Sequence, residues 1–336
     1  MAIARTYRFP NPVTALDHNR LLVKVARLYY EQDLTQGEIA GRLRISRQKA
    51  QRLISQGRAE GIVQIAINPI MGIHSELEEQ LEVRFGLREA VVVETSGYND
   101  QPTVTREVGA GAAEYLMRIL RPHDKIVISW GSSLLGMVNA LSFGARAELE
   151  GLSVIQALGG LIDPNHEVHA TELVRRLARA LNAKAVLLSA PGAAGSKAAR
   201  DAFLQDPFVA KVLELARGGN LAFMGIGAPN PTSILVREGT IITWPQLAEL
   251  TRRGAVGDVN LRYFDEHGQP IASALDDNVI GLTLQEIQSI DHVVGVAGGS
   301  SKLAAIRAAL EGKLVHALVT DHISAQRLLE DASDAK

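Results

Sequence analysis

The sequence predicts an N-terminal all-α helix-turn-helix (winged-helix-like) domain followed by a C-terminal α/β doubly wound domain. Three observations predict this. From residue 90 onward, short β-branched runs alternate with stretches of helical periodicity, the pattern of a mostly parallel sheet covered by helices. Residues 17–60 carry helical periodicity alone, in three segments. Charge also divides the chain. Residues 1–68 hold 11 Lys+Arg against 5 Asp+Glu, a net of +6, while the whole chain is −2, so residues 69–336 carry −8. The expected boundaries are a mobile arm (1–16), the helical domain (17–68), a hinge (69–74), the α/β domain (75–330) and a polar tail (331–336).

The helical segments follow in order. DHNRLLVKVARLYYE (17–31) has Asp17 as candidate cap and Leu21, Leu22, Val25, Leu28 and Tyr29 as its apolar stripe. Next, in TQGEIAGRL, Thr35 and Glu38 have the spacing of a capping box, and Ile39, Ala40 and Leu43 form one buried face. The turn Arg44-Ile45-Ser46 places Ser46 as the N-cap of a third helix, whose buried face is Ala50, Leu53 and Ile54. Arg47, Gln48, Gln51 and Arg52 then point outward near the N-terminal half of that helix, the half that a recognition helix places in the major groove. Arg reads guanine and Gln reads adenine by paired hydrogen bonds. Amphipathic helix pairs also occur in proteins that never meet DNA, so the pattern alone reports packing. The +6 head on an acidic body is what marks a nucleic-acid reader. Gly61 ends the helix, and IVQIAI (62–67) reads as a strand broken by Asn68-Pro69.

In the second domain, SELEEQLEVRFG reads as a helix with Ser75 as candidate cap and Leu77, Leu81 and Phe85 on one face. The expected strands are AVVVE (90–94), KIVIS (125–129), LSVIQAL (152–158), AVLLSA (185–190), LAFMGIG (221–227), TIIT (240–243), HVVGVA (292–297) and HALVT (316–320). Helices are expected near 104–120, 133–142 and 168–181, with others between the later strands. VNLRYFDEHGQPI (259–271) reads as a β-hairpin turning at Asp-Glu-His-Gly.

Composition removes several function classes. With 336 residues and 46% hydrophobic content the chain has ample core, and with no cysteine it has neither disulfides nor thiolate chemistry. No apolar run reaches the roughly 20 residues of a membrane span, and MAIARTYRFPNP lacks a signal-peptide pattern, so a cytoplasmic location is the default. HExxH, GxxxxGK[ST], GxSxG and GxGxxG are all missing. No catalytic residue, metal or cofactor is expected.

A second site is expected where small-residue turns follow strands. Gly131-Ser132-Ser133 and Gly298-Gly299-Ser300-Ser301-Lys302 each lead into a helix, and Gly225-Ile226-Gly227 forms a third turn. Free amides at a helix start bind phosphate by hydrogen bonding and by the helix dipole. Lys302 supplies a cation. Asp258 and His169 are candidate contacts for sugar hydroxyls. Taken singly, each has a plain reading as a connector, a solvated lysine, a turn aspartate or a surface histidine; the pairing of two amide-rich turns with a cation favours an anion pocket.

The motifs WGSSL, ALGGL, LSAPG, GIG, GAVGDVNLRYFDEHG and VAGGSSKLAAIRAALEGKLVHALVTD, behind a helix-turn-helix, resemble those of the SorC family of bacterial transcription regulators. The resemblance runs from about residue 18 to about 330. It implies an effector domain similar in fold to sugar-phosphate isomerases and glucosamine-6-phosphate deaminase, a phosphorylated sugar or polyol as effector, double-stranded operator DNA as partner, and a homotetramer. It also implies a phosphate turn at Gly131, Ser132 and Ser133, a second at Gly298, Gly299 and Lys302, an acidic sugar contact at Asp258 and a loosely aligned polar contact at His169. On the DNA side, the helix-turn-helix pattern itself predicts contacts from Arg44, Ser46, Arg47, Gln48, Lys49, Gln51 and Arg52, with Arg42, Arg44 and Lys49 on phosphates. Two positions depart from the pattern. Arg44 stands where the motif usually has Gly, so the turn either avoids positive φ, strains slightly, or uses Arg44 on a phosphate. Ser132-Ser133 stands where some members have Thr. Two rival readings remain: an isomerase-like or deaminase-like enzyme with an added helical module, and a DNA-binding protein whose second domain only oligomerises.

Overall fold

A computed structural model describes residues 12–65, 72–141, 149–160, 170–230 and 242–330. The chain divides into two units, Met1–Asn68 and Pro69–Lys336. The first contains α1 (Pro12–Tyr30), α2 (Gln36–Leu43) and α3 (Arg47–Ala59). Their stripes meet in one core of Leu22, Val25, Leu28, Ile39, Ala50, Leu53 and Ile54. Each such leucine or isoleucine contributes roughly 1.5–3 kcal/mol by leaving water. Helix α1 starts at Pro12, five residues before the expected cap. Proline is preorganised for the first helical position, so Asp17 lies inside the helix and caps nothing.

The α2–α3 junction is built from caps. Thr35 and Glu38 form a reciprocal capping box, and the Ser46 hydroxyl accepts from the Lys49 amide at 3.1 Å. Arg44 adopts φ 51°, ψ 46°, so the turn does not avoid the left-handed region. The Ile45 amide then reaches the Ala40 carbonyl at 3.0 Å and the Arg44 amide reaches Gly41 at 3.4 Å. These two bonds close a Schellman motif normally completed by glycine. The expected strand at 62–67 does not form over 62–65; residues 66 and 67 lie outside the described residues. The Val63 amide instead bonds back to the Gly57 carbonyl at 3.0 Å, which ties the segment to the end of α3 and leaves no wing strand there.

The second unit is built on a seven-stranded parallel sheet in the order β1-β9-β8-β5-β2-β3-β4. The strands are β1 (Glu89–Val93), β2 (Lys125–Ile128), β3 (Ser153–Gln156), β4 (Lys184–Val186), β5 (Leu221–Gly225), β8 (His292–Val296) and β9 (Ala317–Asp321). Alternate side chains feed two cores. Val127, Ala222, Met224 and Val293 enter one; Ile126, Ile128, Phe223 and Val294 enter the other. Apolar residues on both faces are what a parallel sheet sandwiched by helices requires. Helices α5 (Gln101–Ile119), α6 (Ser132–Ala140) and α7 (Ala170–Ala180) cover the second core. Helices α4 (Ser75–Phe85), α9 (Pro207–Arg217), α11 (Leu284–Gln288), α12 (Leu303–Glu311) and α13 (His322–Glu330) contribute to the first. The unit also contains α8 (Lys197–Gln205) and α10 (Trp244–Arg252).

Several expected elements differ. Thr243 does not end a strand; it caps α10 in a second capping box, with Gln246, while residues 240 and 241 lie outside the described residues. The chain reverses at Asp-Glu-His-Gly as expected, where Phe264 bridges Pro270 antiparallel, but a further reversal at Asn260-Leu261 splits the first run into β6 (Gly257–Val259) paired antiparallel with β7 (Arg262–Phe264). Asn260 and Leu261 have φ of 59° and 61°, as a two-residue primed turn demands. The Asp265–Gly268 turn is closed by the Asp265 amide on Gln269 at 2.9 Å.

Two packing details fix the ends of the sheet. A Cβ on Gly109 of α5 would meet the Gly136 backbone of α6 at 2.6 Å. The two helices approach at backbone distance there, and the start of α6 is held accordingly. At the sheet edge, the free amides of Ala90 and Val92 in β1 donate to Glu82 and Glu78 of α4, both at 2.9 Å.

Candidate functional site

In the first unit, Arg44, Ser46, Arg47, Gln48, Gln51 and Arg52 are exposed and Lys49 is half-buried. The Ser46 hydroxyl is committed to its cap. The side chains of the other six make no hydrogen bond or ion pair among the described residues. Four of these are cations, so α3 and the preceding turn present an unneutralised basic face. Arg47 also borders a hollow of about 730 Å3 that Tyr29, Tyr30, Asp33 and Thr35–Gly37 line.

In the second unit the predicted turns converge because β2, β5 and β8 are neighbours in the sheet. Gly131–Ser133 follows β2, Gly225–Gly227 follows β5 and Gly298–Lys302 follows β8. In an open α/β sheet, ligands bind beyond the carboxyl ends of strands where the winding reverses. From β2 the chain winds outward to β3 and β4; from β5 it winds the other way, to β8 and β9. The turns lie on that reversal.

Gly131 has φ 143°, ψ 160° and opens α6 with no side-chain cap. The amides of Ser132 and Ser133 have no partner among the described residues. The Ser132 side is exposed, whereas the Ser133 hydroxyl is buried and unpartnered. The turn after β8 is different. The Gly299 amide was expected to be free for an anion, but it donates to Asp321 Oδ2 at 2.8 Å and Ser324 Oγ at 3.0 Å. Gln101 holds the same turn from the other side, donating to the Gly298 carbonyl at 3.1 Å and accepting from the Ser301 hydroxyl at 3.0 Å. A short 3-10 turn, Ser300–Lys302, then leads into α12.

Asp258 is placed by exchange of backbone bonds with Gly227, at 2.9 and 3.0 Å. A Cβ on Gly227 would meet Asp258 Oδ1 at 2.1 Å, so the GIG turn is a seat for this carboxylate. Asp258 and Lys302 feel each other's charge without forming an ion pair among the described residues. Burial pushes the Asp258 carboxyl up to about 6, against the pull of the Leu261 amide and the Lys302 cation. Burial lowers the Lys302 ammonium, which Asp258 opposes. Two desolvated, oppositely charged groups thus lie near each other without direct pairing. His169 lies outside the described residues.

Sequence reasoning missed four residues that build this end. Asn260 is buried, accepts from the Ser129 hydroxyl at 2.9 Å and donates to the Ala157 and Leu282 carbonyls. Arg262 is buried across the Asp276 carboxylate at 2.8 Å and the Val279, Gly281 and Leu282 carbonyls. Gln101 and Asp321 clamp the turn after β8. The one local signal was Asn260 between two strand runs, because asparagine tolerates positive φ.

A helical unit with an exposed basic face and an α/β unit with polar groups gathered at its sheet reversal fit the class of metabolite-responsive DNA-binding proteins. Residues 71–330 match the family model described as "Putative sugar-binding domain". The chain is 30% identical to the sorbitol operon regulator of Klebsiella pneumoniae, over 94% of this chain and 99% of that one. It is 28% identical to the deoxyribonucleoside regulator of Bacillus subtilis (strain 168), over 94% and 99%. The crystal structure of the full-length sorbitol operon regulator SorC of Klebsiella pneumoniae superposes with a TM-score of 0.69 at 29% identity, covering 94% of this chain and 100% of that one. The chain belongs to the SorC family of transcription regulators. These relatives are regulators, which sets aside the isomerase-like or deaminase-like enzyme. No described helix is long and apolar enough to cross a membrane.

Proposed function

We propose that this chain is an effector-controlled, DNA-binding transcription regulator of a carbohydrate or polyol catabolic operon, acting in the cytoplasm. The observation that carries the effector half is the gathering of the unpartnered α6 amides, Asp258 and Lys302 beyond the ends of β2, β5 and β8. On this reading the α6 start receives the phosphate, with Gly131, Ser132 and Ser133 forming its turn. Gly298 and Gly299 shape the opposite wall and aim Lys302, and Asp258 takes a sugar hydroxyl. His169 is a further sugar contact. Helices α2 and α3 act as a helix-turn-helix. Gln48, Gln51 and Arg52 face base edges, Arg44 and Lys49 face phosphates, and Ser46 fixes the helix start. A homotetramer would set paired recognition helices on a roughly palindromic operator. The effector shifts the equilibrium between subunit arrangements only by its differential affinity for them, typically about 1–3 kcal/mol.

The test combines a thermal-shift screen of phosphorylated sugars and polyols with turnover assays and operator gel shifts. Stabilisation without turnover, together with altered operator affinity, supports the reading. Turnover, or no response to any ligand, overturns it. Arg47 has two roles open to it that one measurement separates. As a guanine reader, its alanine variant loses roughly 1–3 kcal/mol for the specific site only. As a phosphate contact beside α2, it weakens all DNA equally and lowers the salt slope by about one.

A further inference from the structure

Away from the sheet reversal, three side chains meet at the opposite edge. The cause is topological. Strands β1 and β9 are parallel with Val93 opposite Asp321, so the next residues, Glu94 and His322, emerge side by side. Helix α4 returns to β1 through the Gly86 turn, and this places His74, just before α4, at the same end of β1. His74 Nε2 lies 2.7 Å from Glu94 Oε2, and His322 Nε2 lies 3.6 Å from Glu94 Oε1. The two imidazoles are parallel within 5°, with centroids 5.1 Å apart, and one ligand atom from each of the three residues lies within 4.8 Å of the others. The histidines are 22% and 16% exposed and the glutamate 59%, so the cluster is supported from below and open to solvent above.

We propose that His74, Glu94 and His322 form a binding site for a divalent first-row transition cation of the zinc type, with water as the fourth ligand. Two imidazoles and one carboxylate are a donor set that suits such ions and not magnesium or calcium, which require oxygen. Bonds of about 2.0–2.2 Å put tetrahedral ligand atoms roughly 3.3 Å apart, so the widest pair closes by roughly 1.5 Å through side-chain rotation. The proton inventory gives the site a consequence. The Thr95 amide donates to His322 Nδ1 at 3.2 Å, so in the free chain the ring proton sits on Nε2, facing Glu94. An ion takes the Nε2 lone pair, the proton moves to Nδ1, and Thr95 loses its acceptor. The loop from Thr95 leads to Gln101, which clamps the turn after β8. The site does not depend on the effector reading and tests separately from it.

The experiment uses untagged full-length protein, stripped with chelator and titrated with cobalt(II) and then zinc(II), with magnesium(II) as control. The expected result is one equivalent of cobalt per chain with the visible bands of a four-coordinate ion, displaced by zinc and unaffected by magnesium. Glu94→Gln and His322→Ala each weaken binding at least tenfold, while His267→Ala, an exposed histidine elsewhere, leaves it unchanged. His322→Gln serves as a second variant should the alanine fail to fold, because Gln retains an acceptor for Thr95. Absence of the cobalt bands overturns the proposal, as does binding that the Glu94 and His322 variants leave intact.

Discussion

At the end of β2, Gly131 leads into α6 with the Ser132 and Ser133 amides unpartnered. At the end of β8, a turn of nearly the same composition gives its Gly299 amide to Asp321 and Ser324 and is gripped by Gln101 on the other side. Glycine and serine after a strand therefore do not by themselves make an anion socket. What decides is whether distant side chains have already taken the amides. The first turn is an open socket. The second is a fixed turn, clamped from both sides, that leads to Lys302.

The largest expected effect tests the clamped turn. Asp321→Ala strands both buried donors of Ser324, its amide and its hydroxyl, and leaves the Gly299 amide with Ser324 Oγ alone. At about 1–3 kcal/mol for each buried donor left unpaired, the loss is on the order of 3 kcal/mol or more in urea unfolding. A cost below 1 kcal/mol would mean that the clamp carries nothing. Next comes Asp258, which the two turns flank. Its carboxyl is raised from 3.8 to about 6, so the folded chain holds a proton that the unfolded chain releases. That contribution is fully present below pH ~4 and is lost as the pH rises through ~6, amounting to about 3 kcal/mol at most. The stability of Asp258→Asn relative to the natural chain should therefore climb over that window; parallel pH curves would contradict it. Gly131→Ala tests the socket's backbone. A Cβ there meets nothing within 4 Å, so its cost is the positive φ alone, about 1–3 kcal/mol in thermal unfolding. Smallest of all, Ser132→Ala leaves stability within about 0.5 kcal/mol of the natural chain. It should weaken phosphosugar binding by about 1 kcal/mol, roughly fivefold by calorimetry. An unchanged affinity would move the contact away from Ser132.

The alternation of strands and helices was legible because β-branched runs and 3.6-residue periodicity report local burial, and Leu22, Ile39 and Leu53 are as buried as their spacing implies. IVQIAI shows the limit of that signal. A β-branched run becomes a strand only when another strand pairs with it, and at 62–65 the chain bonds to Gly57 instead. The three turns could be found from composition, but their states could not. The Gly299 amide is occupied by residues 22 and 25 positions away, and the Gly298 carbonyl by one 197 away. No local pattern encodes such partners. Arg44 was legible as an oddity and not as a conformation: tertiary packing of Ile45 against the helical core holds a left-handed arginine where glycine is cheaper.

The glutamates of α4 have a consequence for assembly. An outermost strand normally offers its amides as a template on which a second chain can lay a further strand. Here Glu78 and Glu82 already occupy that template at Val92 and Ala90. A further strand laid against β1 would have to displace both carboxylates from these amides. Replacing the two glutamates would leave both edge amides open to another acceptor.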